Sequence, residues 1–177
     1  MTDFQAQEVQ DALSQARNIA LRQLAHSPKT RQQLEQTLLK KDISPELIVE
    51  VLDRFTEVGL VDDLAYAHLF VRSKCAAKKI SRSSLMRELR AKGVAEDLAL
   101  TAVAVISDED EYQLARDAAE KKLRSMRGLS REVVSRRLFS MLARRGYSSA
   151  IAIKVLKSLE LDASNVTRGD YLLSDDD

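Results

Sequence analysis

His26, His68, Cys75 and the adjacent acids Asp62-Asp63 are the side chains of this 177-residue sequence best suited to proton transfer, nucleophilic attack or metal binding. Their spacing argues against each. Two histidines and one cysteine fall short of the ligands that a Cys/His metal centre gathers. Neighbouring helix positions point about 100° apart, so Asp62 and Asp63 do not converge on one ion or reacting atom. At a helix start the same pair satisfies unpaired backbone N–H groups and meets the positive end of the helix dipole. His26 is expected at the surface, His68 as a partly buried structural side chain, and Cys75 as a small helix hydrophobe. The sequence has no Gly-rich phosphate loop, no GxSxG and no HExxH. No catalytic residue, metal or cofactor is expected.

The basic residues say more. A net charge of +1 hides a strong local segregation. Asp42 to Asp63 holds seven acids against Arg54, whereas Arg72 to Lys92 holds eight bases against Glu88. An acidic knot, Asp108-Glu109-Asp110-Glu111, precedes ten bases between Arg116 and Arg145 that face only Asp117, Glu120 and Glu132. Acids return at Asp170 and Asp175-Asp176-Asp177. Unpaired cations on a helix flank repel one another unless a negative partner is present, which points to phosphate or to carboxylates of another molecule. The candidates for that contact are Lys74, Lys78, Lys79, Arg82, Arg87, Arg90, Arg127, Arg131, Arg136, Arg137 and Arg144. With four Phe, four Tyr and no Trp, base stacking is weakly supported. Any nucleic-acid contact is expected through phosphates, single- or double-stranded, without sequence reading.

These residues must be carried on helices. Five glycines and two prolines leave few turns, and Ala, Leu, Arg, Lys, Glu and Gln dominate. With 45% hydrophobic and 31% charged residues the chain can build a core, and no apolar run approaches a membrane span. The opening Met1-Thr2-Asp3-Phe4-Gln5 has no secretion-signal character, so a cytoplasmic protein is expected.

The helices repeat. Arg31-x2-Leu34-x3-Leu38-x2-Lys41-Asp42-Ile43-x3-Leu47 recurs as Arg82-x2-Leu85-x3-Leu89-x2-Lys92-Gly93-Val94-x3-Leu98, and again as Ser135-x2-Leu138-x3-Leu142-x2-Arg145-Gly146-Tyr147-x3-Ile151. The copies are offset by 51 and 53 residues without a gap. Each Leu pair lies on one helix face. Gly59, Gly93, Gly128 and Gly146, each followed by an apolar residue, read as left-handed helix stops. Thr30-x-x-Gln33 is a capping box, Ser44-Pro45 places proline at a first helical position, and Ser81, Ser130 and Ser148 are further caps. Helices are predicted near 14–25, 30–40, 45–57, 62–77, 81–91, 95–106, 109–127, 131–144 and 148–160. The expected fold is all-α, an elongated, curved stack of three tandem three-helix repeats. Its expected parts are an N-terminal extension (1–13), repeats at 14–61, 62–107 and 108–162, and a mobile acidic tail (163–177).

Gly59-Leu60-Val61-Asp62-Asp63-Leu64-Ala65-Tyr66-Ala67 resembles the Gly-hydrophobic-hydrophobic-Asp-Asp-x-x-Tyr/Phe-Ala signature of the bacterial RecX regulatory family. Ser27-Pro28-Lys29-Thr30-Arg31-Gln32-Gln33-Leu34 is similar to that family's first-repeat helix start. Lys92-Gly93-Val94 and Arg144-Arg145-Gly146-Tyr147 are similar to its second- and third-repeat stops. The likeness runs in order over about residues 14–160. Asp42 departs from it where a glycine is usual, as does Gln33 where Glu is frequent. The signature residues Gly59, Asp62, Asp63, Tyr66, Ala67, Gly93, Arg145, Gly146 and Tyr147 are expected to be mainly structural. The resemblance implies a three-repeat, all-α modulator, and a monomer is expected. Such a protein binds the recombinase RecA in the helical groove of its filament on single-stranded DNA. It implies inhibition of ATP hydrolysis, strand exchange and co-protease activity, in recombination, DNA repair and the SOS response. The alternative reading is a stand-alone, non-sequence-specific nucleic-acid-binding protein.

Overall fold

The computed structural model describes residues 2–161, and the acidic segment expected to be a mobile tail lies outside them. Nine α-helices and no strand are present among the described residues: α1 (Thr2–His26), α2 (Arg31–Leu39), α3 (Pro45–Glu57), α4 (Asp63–Lys78), α5 (Arg82–Ala91), α6 (Glu96–Val103), α7 (Asp108–Leu123), α8 (Arg131–Arg144) and α9 (Ser149–Ser158). Most boundaries fall within a residue or two of the predicted ones. The exception is α1, which starts twelve residues earlier than predicted and runs through the stretch read as an extension. Helix formers dominate there, and Leu13, Ala16 and Ala20 anchor the helix in the core. The predicted ends of α6 and α7 were also too long by three and four residues.

The chain forms two compact units, Met1–Val71 with Met86–Val103, and Arg72–Leu85 with Ala104–Asp177. Helices α4 and α5 therefore each begin in one unit and end in the other. In the first unit α1, α2 and α3 pack pairwise around Leu34, Leu38, Ile48, Val51, Leu52 and Phe55. In the second, α7, α8 and α9 do the same around Ala115, Ala119, Leu138, Leu142, Val155 and Leu156. All three repeated Leu pairs are fully buried: Leu34/Leu38, Leu85/Leu89 and Leu138/Leu142. Each such leucine contributes about 1.5–3 kcal/mol by leaving water.

A helix start leaves backbone N–H groups without partners, and here the next repeat supplies them. Within the first unit, Thr30 caps α2 by accepting from the Gln33 N–H at 3.2 Å, and its Oγ1 donates to the Lys92 carbonyl at 2.6 Å. The Arg31 N–H donates to Asp63 Oδ1 at 2.9 Å. Within the second unit the same contact recurs one repeat further on. The Ser81 N–H donates to the Arg145 carbonyl at 3.1 Å, Ser83 Oγ to the Gly146 carbonyl at 2.8 Å, and the Arg82 N–H to Glu111 Oε1 at 2.9 Å. Thr30 and Ser81, Arg31 and Arg82, Lys92 and Arg145 are equivalent positions of the repeat.

This junction explains which helix stops must be glycine. Gly93 has φ +82° and lies against Gln32; Gly146 has φ +81° and lies against Ser81 and Ser84. A Cβ at either would overlap those side chains. The first-copy counterpart, Asp42, has φ +58° and is exposed, so its side chain has room. The Gln33 departure is equally harmless, because its side chain completes the capping box by accepting from the Thr30 N–H at 3.2 Å.

Gly93→Ala and Gly146→Ala should each cost on the order of 2–4 kcal/mol, combining left-handed strain with overpacking. Gly59→Ala and Gly128→Ala, where a Cβ meets nothing within 4 Å, should cost only about 1 kcal/mol, and Asp42→Gly should be neutral or stabilising by up to about 1 kcal/mol. Urea denaturation followed by far-UV circular dichroism ranks them; equal costs at all four glycines would contradict the junction.

Candidate functional site

The expected cationic faces divide sharply once their surroundings are known. Arg82, at the start of α5, is clasped by α7. Its Nε donates to Glu111 Oε2 at 2.8 Å, its Nη2 to Asp108, and its Nη1 to the Ile106 carbonyl at 3.3 Å. Glu111 is 6% exposed, so a charged pair is partly buried here, and the hydrogen bonds that the guanidinium donates to Asp108 and Glu111 raise its pKa further. Lys79, held at φ +49°, pairs with Asp117 of α7, and Arg90 pairs with Glu96 of α6. The reading of helix 81–91 as short of acids holds along that helix but not in the fold. The acids come from α6 and α7, which pack beside these bases and attract them at close range. Lys74 and Arg87 are also engaged. Lys78 is exposed, and its carbonyl accepts from Arg145 Nη1 at 2.9 Å.

The third repeat is different. Lys122, Arg136, Arg137 and Arg144 line a cleft of about 470 Å³ between α7 and α8, with Ser125, Met126, Ser140 and Met141 completing it. No carboxylate lines it, and among the described residues none of the four cations has an intramolecular ion pair. Arg127 and Arg131 line a second cleft, of about 520 Å³, that shares Met126 with the first. The repeat register explains why these bases stay open. Gln32 and Ser83 sit in the junctions of the first two copies, and their third-copy equivalent is Arg136, followed by Arg137. Helix α8 also starts one turn before the position where α2 and α5 start, so it presents no junction-type end. Lys122 and Arg124 were not singled out in the sequence; their place in the run of ten bases was the signal available.

The signature residues take structural places. Asp62 caps α4 by accepting from the Ala65 N–H at 2.8 Å. Asp63 does not cap its own helix start as the sequence suggested but reaches across to the first N–H of α2. Ala67 is fully buried, and Tyr66 stacks on Phe70 with ring centroids 6.2 Å apart. Lys92 Nζ lies 5.5 Å from the centroid of that Phe70 ring. Tyr147 is buried and donates to the Lys79 carbonyl at 2.7 Å; burial pushes its phenol up. His26 is exposed at the end of α1, His68 is half-buried, and Cys75 is half-buried with its thiol pushed up by burial. Among the described residues no group of three or more His, Cys, Asp or Glu side chains converges as metal ligands, and no helix is long and apolar enough to cross a membrane.

Fold and site together define an all-helical protein of tandem three-helix domains, with spent cations at its repeat junctions and open ones on its third domain. Three family models match in order: the first three-helix domain of RecX at residues 16–55, the second at 62–103 and the third at 108–156. A regulatory protein RecX from Streptomyces coelicolor is 46% identical over 147 residues, 83% of this chain and 78% of that one. One from Thermobifida fusca is 43% identical over 157 residues, 89% of this chain and 84% of that one. The crystal structure of RecX from Lactobacillus salivarius superposes with a TM-score of 0.77 at 23% identity, covering 85% of this chain and 97% of that one, a likeness of fold. The chain belongs to the RecX family of regulatory proteins.

Removing the Arg82 side chain leaves Glu111 charged and buried, so Arg82→Ala should cost about 2–4 kcal/mol. Arg137→Ala, in the open cleft, should stay within about 0.5 kcal/mol of the parent. Denaturant midpoints for the two variants check this, and similar losses would refute the division into spent and open cations.

Proposed function

We propose that this protein modulates the recombinase RecA. It binds the filament that RecA forms on single-stranded DNA, within the helical groove, and lowers ATP hydrolysis, strand exchange and co-protease activity. Family membership supports the regulatory role. The observation that carries the docking mode is the cleft of Lys122, Arg136, Arg137 and Arg144, four cations with no carboxylate among the lining residues. Such a cleft suits phosphates or a strongly acidic protein face, and both are present in a nucleoprotein filament. Lys74, Lys78, Lys79, Arg82, Arg87 and Arg90 enter this reading as a secondary face, because several of them are already held within the molecule. The protein works in the cytoplasm, where its target is, as a monomer.

The acid-free lining also favours a second reading, a stand-alone nucleic-acid binder. Four phosphate contacts to a single strand imply a log–log salt slope of about −3. Tight binding to bare DNA with that slope, and no preference for RecA filaments, would establish the second reading.

The charge reversal Arg136→Glu/Arg137→Glu/Arg144→Glu should raise the concentration needed to inhibit RecA's DNA-dependent ATPase by at least about tenfold. Its unfolding midpoint should stay at the parent value. Undiminished inhibition by a folded triple variant would remove this cleft from the mechanism.

A further inference from the structure

Each junction in this chain has two halves. The donor half is a helix start that reads cap, arginine, two residues, apolar: Thr30-Arg31-x2-Leu34 and Ser81-Arg82-x2-Leu85. The acceptor half is a helix stop of the next repeat together with an acid on that repeat's first helix, Lys92 with Asp63 and Arg145 with Glu111. Thr30 and Ser81 are fully buried as a result, and Lys92 and Arg145 are half-buried.

The three repeats form two such junctions, and one half of each kind is left over. The unused stop belongs to the first repeat. Lys41, equivalent to Lys92 and Arg145, is exposed, and among the described residues no backbone N–H outside the helices donates to its carbonyl. The matching acids are present too. Asp63 precedes Lys92 by 29 residues and Glu111 precedes Arg145 by 34; Asp11 and Glu8 of α1 precede Lys41 by 30 and 33. Both are exposed, and neither has an ion pair among the described residues. The unused start belongs to α8. Its extra turn, which takes it out of the internal register, begins with the same pattern, Ser130-Arg131-x2-Val134. Val134 is buried like Leu34 and Leu85, but Ser130 and Arg131 are exposed, and Arg131 has no ion pair among the described residues. Exposed apolar side chains adjoin both halves in sequence, Val9 and Leu39 at the acceptor and Leu129 at the donor.

We propose that the two unused halves meet between molecules. The α8 start of one copy docks on the first-repeat stop of a second copy, with Arg131 against Glu8 and Asp11 and the first N–H groups of α8 toward the Lys41 carbonyl. The positive end of the α8 dipole adds to the attraction. Glu132 stands where Gln32 and Ser83 stand in the internal starts, and the exposed Lys40 and Lys41 balance its charge. The contact is heterologous: each copy keeps a free half on its other side, so copies link head to tail instead of closing into a pair. One helix start is a small contact beside the roughly 800 Å² per partner of a stable complex, so free molecules stay single at low concentration. The contact acts where copies are held side by side along a polymer. That consequence rests on the function proposed above, whereas the contact itself does not.

Sedimentation equilibrium of the full chain at low salt, up to about 1 mM protein, tests it in the range where so small a contact binds. The parent should associate weakly without a limiting size, and added salt should weaken the association. Glu8→Lys/Asp11→Lys removes the acceptor and Arg131→Ala the donor. Each should lower the association constant by at least about tenfold, with an unchanged circular dichroism spectrum. Mixed in equal amounts, the two variants should associate again but stop at a dimer, because one intact donor and one intact acceptor remain between them. A parent that stays monomeric, a parent that stops at a dimer, or a mixture no more associated than its components overturns the proposal. Glu8→Lys/Asp11→Lys should also make inhibition of RecA's ATPase less steep in protein concentration while full inhibition is still reached. Association without that change keeps the contact and counts instead against its place on the filament.

Discussion

Everything in this fold hangs on where the first N–H groups of α2 and α5 find acceptors. A helix of nine or ten residues is marginal by itself, and its unpaired donors cannot be buried without partners. Here the acceptors belong to the following repeat: Asp63 for Arg31 and Glu111 for Arg82. The carbonyls at the stops of α5 and α8 take the donors of Thr30, Ser81 and Ser83. One geometry, used twice, sets the register of each repeat against the next. It also dictates a small residue at Gly93 and Gly146, where backbone meets side chain at the closest approach in the chain's junctions.

Much of this was legible in the residues. The repeat, the leucine pairs, the capping box of Thr30 and Gln33, and the left-handed stops all follow from local rules that act within a turn or two. The early start of α1 was missed because its first turns have strong helix propensity but few apolar residues to signal burial; Val9 is 51% exposed. Asp63 was misassigned for a different reason. Its local role as a cap is adequate, and only the fold reveals a better partner 32 residues away in sequence.

Charge pairing was the least legible feature. Counting acids along a helix measures neighbours in sequence, whereas ion pairs form among neighbours in space. Arg82 and Arg136 look alike by that count. One is enclosed by Asp108 and Glu111, and the other lies in a cleft without a carboxylate. The acidic knot at 108–111 stands out in the sequence only as a run of like charge, yet Glu111 is buried and serves a junction. Composition records how many charges a chain has and leaves open which of them are already satisfied.

The difference between the copies then acquires a physical reason. In the first two copies the helix start must fit under the next repeat, so the residue after the arginine is Gln32 or Ser83, and a guanidinium would not fit beneath a glycine stop. The third copy has no such constraint in α8, whose extra turn moves the helix start away. A position freed from packing can carry a long, hydrated cation, and Arg136 and Arg137 do so side by side. A helix face that lies outside a junction and meets water can be polar. Here that face is polar with a single sign, and because like charges repel, its stability improves when an anion arrives. The same substitution that relieves α8 of the junction thus leaves Arg136 and Arg137 in a cleft with no carboxylate in its lining.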